Sequence, residues 1–155
     1  MQRFRSSEEG FTLIEVMVVV LILAILIALG VPSYLGFRGR SQDTEAKSEV
    51  ANGAKVQAGI SVTQGQGYTA DVAVLKAYEP SLDFSGTTDE SLHVILGDAV
   101  SAGDNAQVLV YSRSRSGTWF GLRLVSAGVG VGQYTCLGST EADVDDMTDC
   151  ISAEW

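Results

Sequence analysis

Gly10-Phe11-Thr12-Leu13-Ile14-Glu15, followed at once by the unbroken aliphatic run Val16 to Leu29, is the stretch on which the reading of this chain turns. Between Phe11 and Val31 only Thr12, Glu15 and Gly30 interrupt the large or aliphatic residues. About 20 such residues span a hydrocarbon core of about 30 Å as a helix. The run is rich in β-branched residues, which are weak helix formers in water. In lipid every backbone group must be paired within the segment, so helix is the expected state. Arg3 and Arg5 precede the run and favour a cytoplasmic N-terminus, while Arg38 and Arg40 follow it and weaken that bias.

A secretory signal peptide is the competing reading. It would use Ala28-Leu29-Gly30 as its cleavage site and release a soluble binding domain starting near Val31. The run is long for the apolar part of such a signal. Glu15 also counts against it, because a carboxylate deep in a bilayer costs about 2.5 kcal/mol or more and an export signal gains nothing from it.

Gly10 to Glu15, the short charged leader before it, the apolar run behind it and Val31-Pro32-Ser33 near its far end resemble the N-terminus of type IV prepilins and the related pseudopilins. The likeness covers the first third of the chain. It implies that a membrane peptidase cuts between Gly10 and Phe11 and that the new N-terminal Phe11 is methylated. It also implies a pilin fold, α+β, with one long helix against an antiparallel sheet. Glu15 lies four residues after Phe11, so the two share a helix face. The α-amine freed at Phe11 of a neighbouring copy is then the natural partner for a carboxylate that lipid cannot solvate, which makes Glu15 an assembly residue. Glu15 solvated at headgroup level is the alternative. The helix-breaking glycine that the family usually carries in the middle of the run is absent, since Leu23-Ala24-Ile25 stands there.

Pro32 withholds a hydrogen bond and is expected to kink or locally open the helix. Helical patterning nevertheless resumes from Ser33 to Val62. Ala46, Val50, Ala54, Ala58 and Val62 recur at four-residue steps with Ala51 beside them, and Asp43, Glu45, Lys47, Glu49, Lys55 and Gln57 are assigned to the opposite, polar face. The helix is expected to end where Gly65-Gln66-Gly67 breaks the pattern. The boundaries that follow are a leader at 1–10, a membrane or filament-core half of the helix at 11–31, an amphipathic half at 32–62 and a globular part at 63–155.

Within that globular part, Asp71 to Tyr78 reads as a short helix stopped before Pro80. Leu92 to Leu96, Gln107 to Ser114 and Thr118 to Ser126 read as strands, with turns over Asp98 to Asn105 and at Ser116-Gly117. Tyr134 to Leu137 is a fourth candidate. In the middle strand Val108, Val110 and Ser112 alternate with Leu109, Tyr111 and Arg113. The stretch Tyr111 to Trp119 and the final Trp155 also look like prepilins of Gram-positive actinobacteria.

The chain has 155 residues and a net charge of -9, with ten Lys plus Arg against nineteen Asp plus Glu. Such an acidic chain repels phosphate backbones, so no direct nucleic-acid binding is expected. Gly128-Val129-Gly130-Val131-Gly132 resembles a phosphate loop, but Gln133-Tyr134-Thr135-Cys136 follows it where a helix would have to open, so a glycine turn is expected. His93 is the single histidine, with no Ser or Cys constellation around it, and no catalytic residues are expected.

Cys136 and Cys150 lack the spacing of a zinc site. Outside the cytoplasm a disulfide is the default; two buried free thiols are the alternative. The resemblance implies the disulfide, framing an exposed C-terminal loop that touches neighbouring subunits. That loop carries Glu141, Asp143, Asp145, Asp146 and Asp149. Some pseudopilins hold calcium there, which offers Asp143, Asp145, Asp146 and Asp149 as ligands. The EF-hand spacing and its turn glycine are missing, so a solvated acidic loop without a cofactor is the expectation.

The expectation for the whole is a structural subunit, not an enzyme. It waits in a membrane as a single-pass protein and is then assembled into a homo-oligomeric helical filament on the cell surface. The resemblance implies a prepilin peptidase, an assembly platform and an ATPase as partners. A pseudopilin of a type II secretion or DNA-uptake system is the nearest alternative.

Overall fold

The computed structural model of this protein describes residues 10–65, 67–99, 103–128, 130–152 and 155. Arg3, Arg5, Glu8 and Glu9 of the expected leader lie outside these residues. The elements in chain order are α1 (Leu13–Gln64), α2 (Val72–Tyr78), β1 (His93–Ala99), β2 (Gly103–Arg113), β3 (Trp119–Val125), β4 (Gly132–Gly138) and a 3-10 turn at Glu141–Asp143. They divide into two compact units, Met1–Arg38 and Gly39–Trp155.

In the first unit α1 starts immediately behind Thr12 and carries Pro32 in its interior with no break in helical assignment there. Ser33 Oγ donates to the Leu29 carbonyl at 3.5 Å, one turn back.

In the second unit four strands form one antiparallel sheet in the order β1-β2-β3-β4. Each neighbour follows its partner in sequence, as hairpins dictate. The β2–β3 connection is held by Gly117 N donating to Ser114 O at 2.9 Å, and Gly117 takes φ +104°, open to glycine. β1 runs on to Ala99 and β2 starts at Gly103, so the ladder takes in residues that composition had assigned to a turn. The pair Ala99↔Gly103 shows why: cross-strand hydrogen bonding carries residues of low strand propensity. Val100 to Ala102 lie outside the described residues. The glycine stretch 128–132 connects β3 to β4, with Gly128 and Gly130 at φ +91° and +78°, and no helix opens from it.

One face of the sheet meets α1. Ala46, Val50, Ala54 and Ile60 pack with Phe84, Leu92, Val108, Val110, Phe120, Leu122 and Leu124. The approach is closest at Gly53, where an added Cβ would stand 3.1 Å from both Leu92 and Val110. The expected stripe needs correcting at its end, because Ala58 is exposed and Val62 is 83% exposed. Each four-residue step overshoots one 3.6-residue turn by about 40°, so after two or three steps a strict i+4 row has rotated off the sheet. Gln57 moves the other way. It was assigned to the polar face, yet it is fully buried. Its Nε2 donates to Thr69 O at 2.6 Å and its Oε1 accepts from Thr69 N at 3.1 Å, so the Thr69 backbone partners both ends of the amide. Gly65, at φ +65°, closes α1 by donating to Ser61 O.

The other face of the sheet is covered as well. Leu109, Tyr111, Trp119, Cys136, Val144 and Cys150 form a second core with Ile95, Tyr134 and Met147 at its margin. The C-terminal loop is therefore a layer of the fold, and the alternation of Val108 and Val110 against Leu109 and Tyr111 feeds two cores rather than a core and solvent.

Candidate functional site: the N-terminal segment and the C-terminal loop

Gly10 and Phe11 stand ahead of α1 in non-helical backbone, and Phe11 is 83% exposed. Thr12 is the N-cap. Its backbone N–H and its hydroxyl both donate to Glu15 Oε2, at 2.9 and 2.8 Å, while Glu15 N–H donates to Thr12 Oγ1 at 3.3 Å. This is a complete capping box, with each residue satisfying an orphan donor of the other. Sequence reasoning singled out Glu15 and passed over Thr12, although the Thr-x-x-Glu spacing was there to be read.

Behind this cap, the large apolar side chains from Val16 to Val31 are each between 49% and 71% exposed. A helix segment that is apolar and exposed all round needs another medium, either lipid or other helices. The stretch is long and apolar enough to cross a membrane. Tyr34, Leu35 and Phe37 extend the exposed apolar surface past Pro32.

In the second unit Cys136 and Cys150 are joined in a disulfide, with Cα atoms 4.3 Å apart. The loop between them is organised by its own acids. Asp143 Oδ2 accepts from Thr140 N and Oγ1, both at 2.8 Å, and Asp146 Oδ1 accepts from Thr148 N and Oγ1, both at 2.7 Å. Asp149 Oδ2 accepts from Asp146 N at 3.0 Å. The backbone N–H bonds, followed by the hydroxyls, hold the Asp143 and Asp146 carboxyls below the usual range. Among the described residues no group of three or more His, Cys, Asp or Glu side chains gathers as a metal set.

The loop is fastened to the sheet at further points that sequence reasoning missed. Tyr111 Oη donates to Glu141 Oε1 at 3.3 Å, and the Arg123 guanidinium stacks over the Tyr134 ring at 4.7 Å while donating to Met147 O. Trp155 Nε1 donates to Cys136 O at 3.0 Å, and Lys47 lies over both the Phe120 and the Trp155 rings, at 5.1 and 5.8 Å. Each of these joins residues far apart in the chain. His93 is used structurally: its Nε2 sits 3.1 Å from Thr88 O, and its ring stacks on Tyr111 at 4.8 Å.

A sheet-bearing unit on a chain whose first helix begins with a half that is apolar and exposed on every side fits the class of structural, assembling proteins. Residues 5–31 match the family model described as the prokaryotic N-terminal methylation motif. A fimbrial protein of Pseudomonas aeruginosa is 27% identical over 131 residues, 74% of this chain and 84% of that protein. The type IV major pilin protein PilA of Myxococcus xanthus is 46% identical over 48 residues, 31% of this chain and 22% of that protein. The type IV major fimbrial protein FimA of Dichelobacter nodosus is 42% identical over 62 residues, 40% of this chain and 38% of that protein. No solved structure matches. The motif match and these relatives together support a type IV pilin family assignment for this chain.

Proposed function

We propose that this protein is a structural subunit of a type IV pilus. The first half of α1 holds it in a membrane until assembly, and the same half-helix then packs inside a surface filament. The observation that carries the reading is the all-round exposure of Val16 to Val31 directly behind a motif-matched Gly10-Phe11 junction. In the filament, helices of other copies replace lipid around each apolar rod, so the burial that drives assembly is absent in a single chain.

A prepilin peptidase removes residues 1–10, and Phe11 becomes the methylated N-terminus. Glu15 then meets the α-amine of Phe11 on a neighbouring copy, and the assembly platform with its ATPase supplies the work of extraction. A buried ion pair that loses one partner costs about 3–5 kcal/mol, so a copy seated out of register is disfavoured. Pro32 is where the rod would loosen, since it withholds the hydrogen bond that would reach Ala28.

Mass analysis of the surface protein tests the processing. A chain that starts at methylated Phe11 is expected; a start near Val31 means the rod is discarded and the proposal is wrong. For the acid, Glu15→Ala should leave processed subunits in the membrane and no filaments by electron microscopy.

A further inference from the structure

We propose that Tyr34, Phe37 and Arg38 form a surface that docks on anionic lipid headgroups, in the membrane leaflet opposite the Gly10 end; the inference rests on the membrane-resident stage of the proposed function. Spacing, exposure and charge each lead to it. Positions 34, 37 and 38 are three and four residues apart on α1, so their side chains share one side of the helix. All three are exposed, and among the described residues Arg38 forms no ion pair. Between Glu15 and Asp43 the only charged residues are Arg38 and Arg40, on a chain whose net charge is -9. An anionic surface attracts this stretch and repels the acidic sequence that follows it.

Depth agrees with charge. At about 1.5 Å per residue, Tyr34 and Arg38 lie about 32 and 38 Å along α1 from Leu13. An ordinary tilt of about 20° reduces these to depths of about 30 and 35 Å. The hydrocarbon layer is about 30 Å thick, so a rod that enters it at Leu13 brings these side chains into the far headgroup layer. The residue types suit that place. A tyrosine keeps its ring among the upper acyl groups and its hydroxyl in water, and Phe37 adds apolar area beside it. The Arg38 guanidinium can extend along its own stem to a lipid phosphate and offer it two parallel N–H donors. Arg38 runs against the charge bias that puts the N-terminus in the cytoplasm. A phosphate contact gives it a role on the opposite side, where it fixes how deep the rod sits before assembly.

The full-length protein in vesicles of mixed phosphatidylcholine and phosphatidylglycerol tests this. Tyr34→Trp reports depth by fluorescence, with the parent as blank because Trp119 and Trp155 belong to the sheet-bearing unit. Quenching should be strongest from lipids brominated next to the headgroup, whereas Leu23→Trp should be quenched most from lipids brominated near the chain end. If neither variant is quenched beyond the parent, the membrane reading itself is wrong. If Leu23→Trp is quenched and Tyr34→Trp is not, or is quenched mainly from the chain end, the docking surface alone is wrong. Lipid retained by the detergent-purified protein, counted by native mass spectrometry, reads the headgroup contact. The parent should prefer phosphatidylglycerol, and Arg38→Gln should lower that preference about fivefold, the effect of one arginine at an anionic surface. Arg38→Lys should keep most of it, since the charge remains. Equal preference in the parent and Arg38→Gln overturns the proposal, and a loss of filaments alongside it would assign Arg38 to contacts between copies instead.

Discussion

The hydroxyl of Tyr111, in the middle of the sheet, donates to the carboxylate of Glu141 at the start of the C-terminal loop, 3.3 Å away. Burial first, and the nearby Glu141 charge second, push the Tyr111 hydroxyl up to about 12. A group raised in the folded state binds its proton more tightly there than in the unfolded chain. Stability is therefore fully present below about pH 10, the ordinary tyrosine value, and is lost as pH rises from there to about 12. Denaturant unfolding of the detergent-solubilised protein should show that decline, and Tyr111→Phe should flatten it while costing about 1 kcal/mol at neutral pH.

At the acid end the sign reverses. Asp143 and Asp146 are held low by the backbone N–H groups of Thr140 and Thr148. What they contribute is present above the ordinary carboxylate range and disappears as pH falls below about 4 through their lowered values. Protection of the Thr140 and Thr148 amides, taken relative to the intrinsic exchange rate at each pH, should fall over that window. In Asp143→Asn and Asp146→Asn the corresponding amide should lose this pH dependence.

Two glycines of α1 should respond in opposite ways to alanine. At Gly53 the new methyl meets Leu92 and Val110 at 3.1 Å, so Gly53→Ala should destabilise by about 1–3 kcal/mol. Gly59 has nothing within 4 Å, and Gly59→Ala should stabilise by about 1 kcal/mol through helix propensity alone. Thermal unfolding of the two variants checks both signs.

Replacing Cys136 and Cys150 together by serine should cost about 3 kcal/mol, the chain-entropy value for a loop of about 15 residues. Because the disulfide belongs to the core on the far side from α1, the loss should concentrate there. Exchange at Val144 and Leu109 should rise well before exchange at Val50 and Val110. Uniform loosening would mean that the two faces do not act as separate cores.

Composition and periodicity made α1 and the hairpins legible, and the resemblance to prepilins picked out the motif around Glu15. Strong local signals sufficed there: an uninterrupted apolar run, period-2 alternation through Val108 to Tyr111, and turn chemistry at Ser116-Gly117. Asp71 to Tyr78 was equally readable, since Asp71 accepts from Ala73 N and caps α2. Gln57 was not readable, because a buried amide is tolerated only if a partner arrives, and Thr69 arrives through the fold rather than through the local pattern. Ala58 and Val62 were misplaced because a four-residue step imitates a helix face for only two or three turns.

By itself the sequence determined that this chain carries an apolar rod with a single acid at its front, and that a sheet-forming segment follows. Those properties depend on residue type and on spacing within a few turns. Only the tertiary structure decided that the C-terminal loop forms a second layer, that Tyr111, Arg123 and Trp155 fasten it, and which α1 residues meet the sheet. These depend on contacts between residues distant in the chain, where hydrogen-bond satisfaction and close packing, rather than propensity, select the partner.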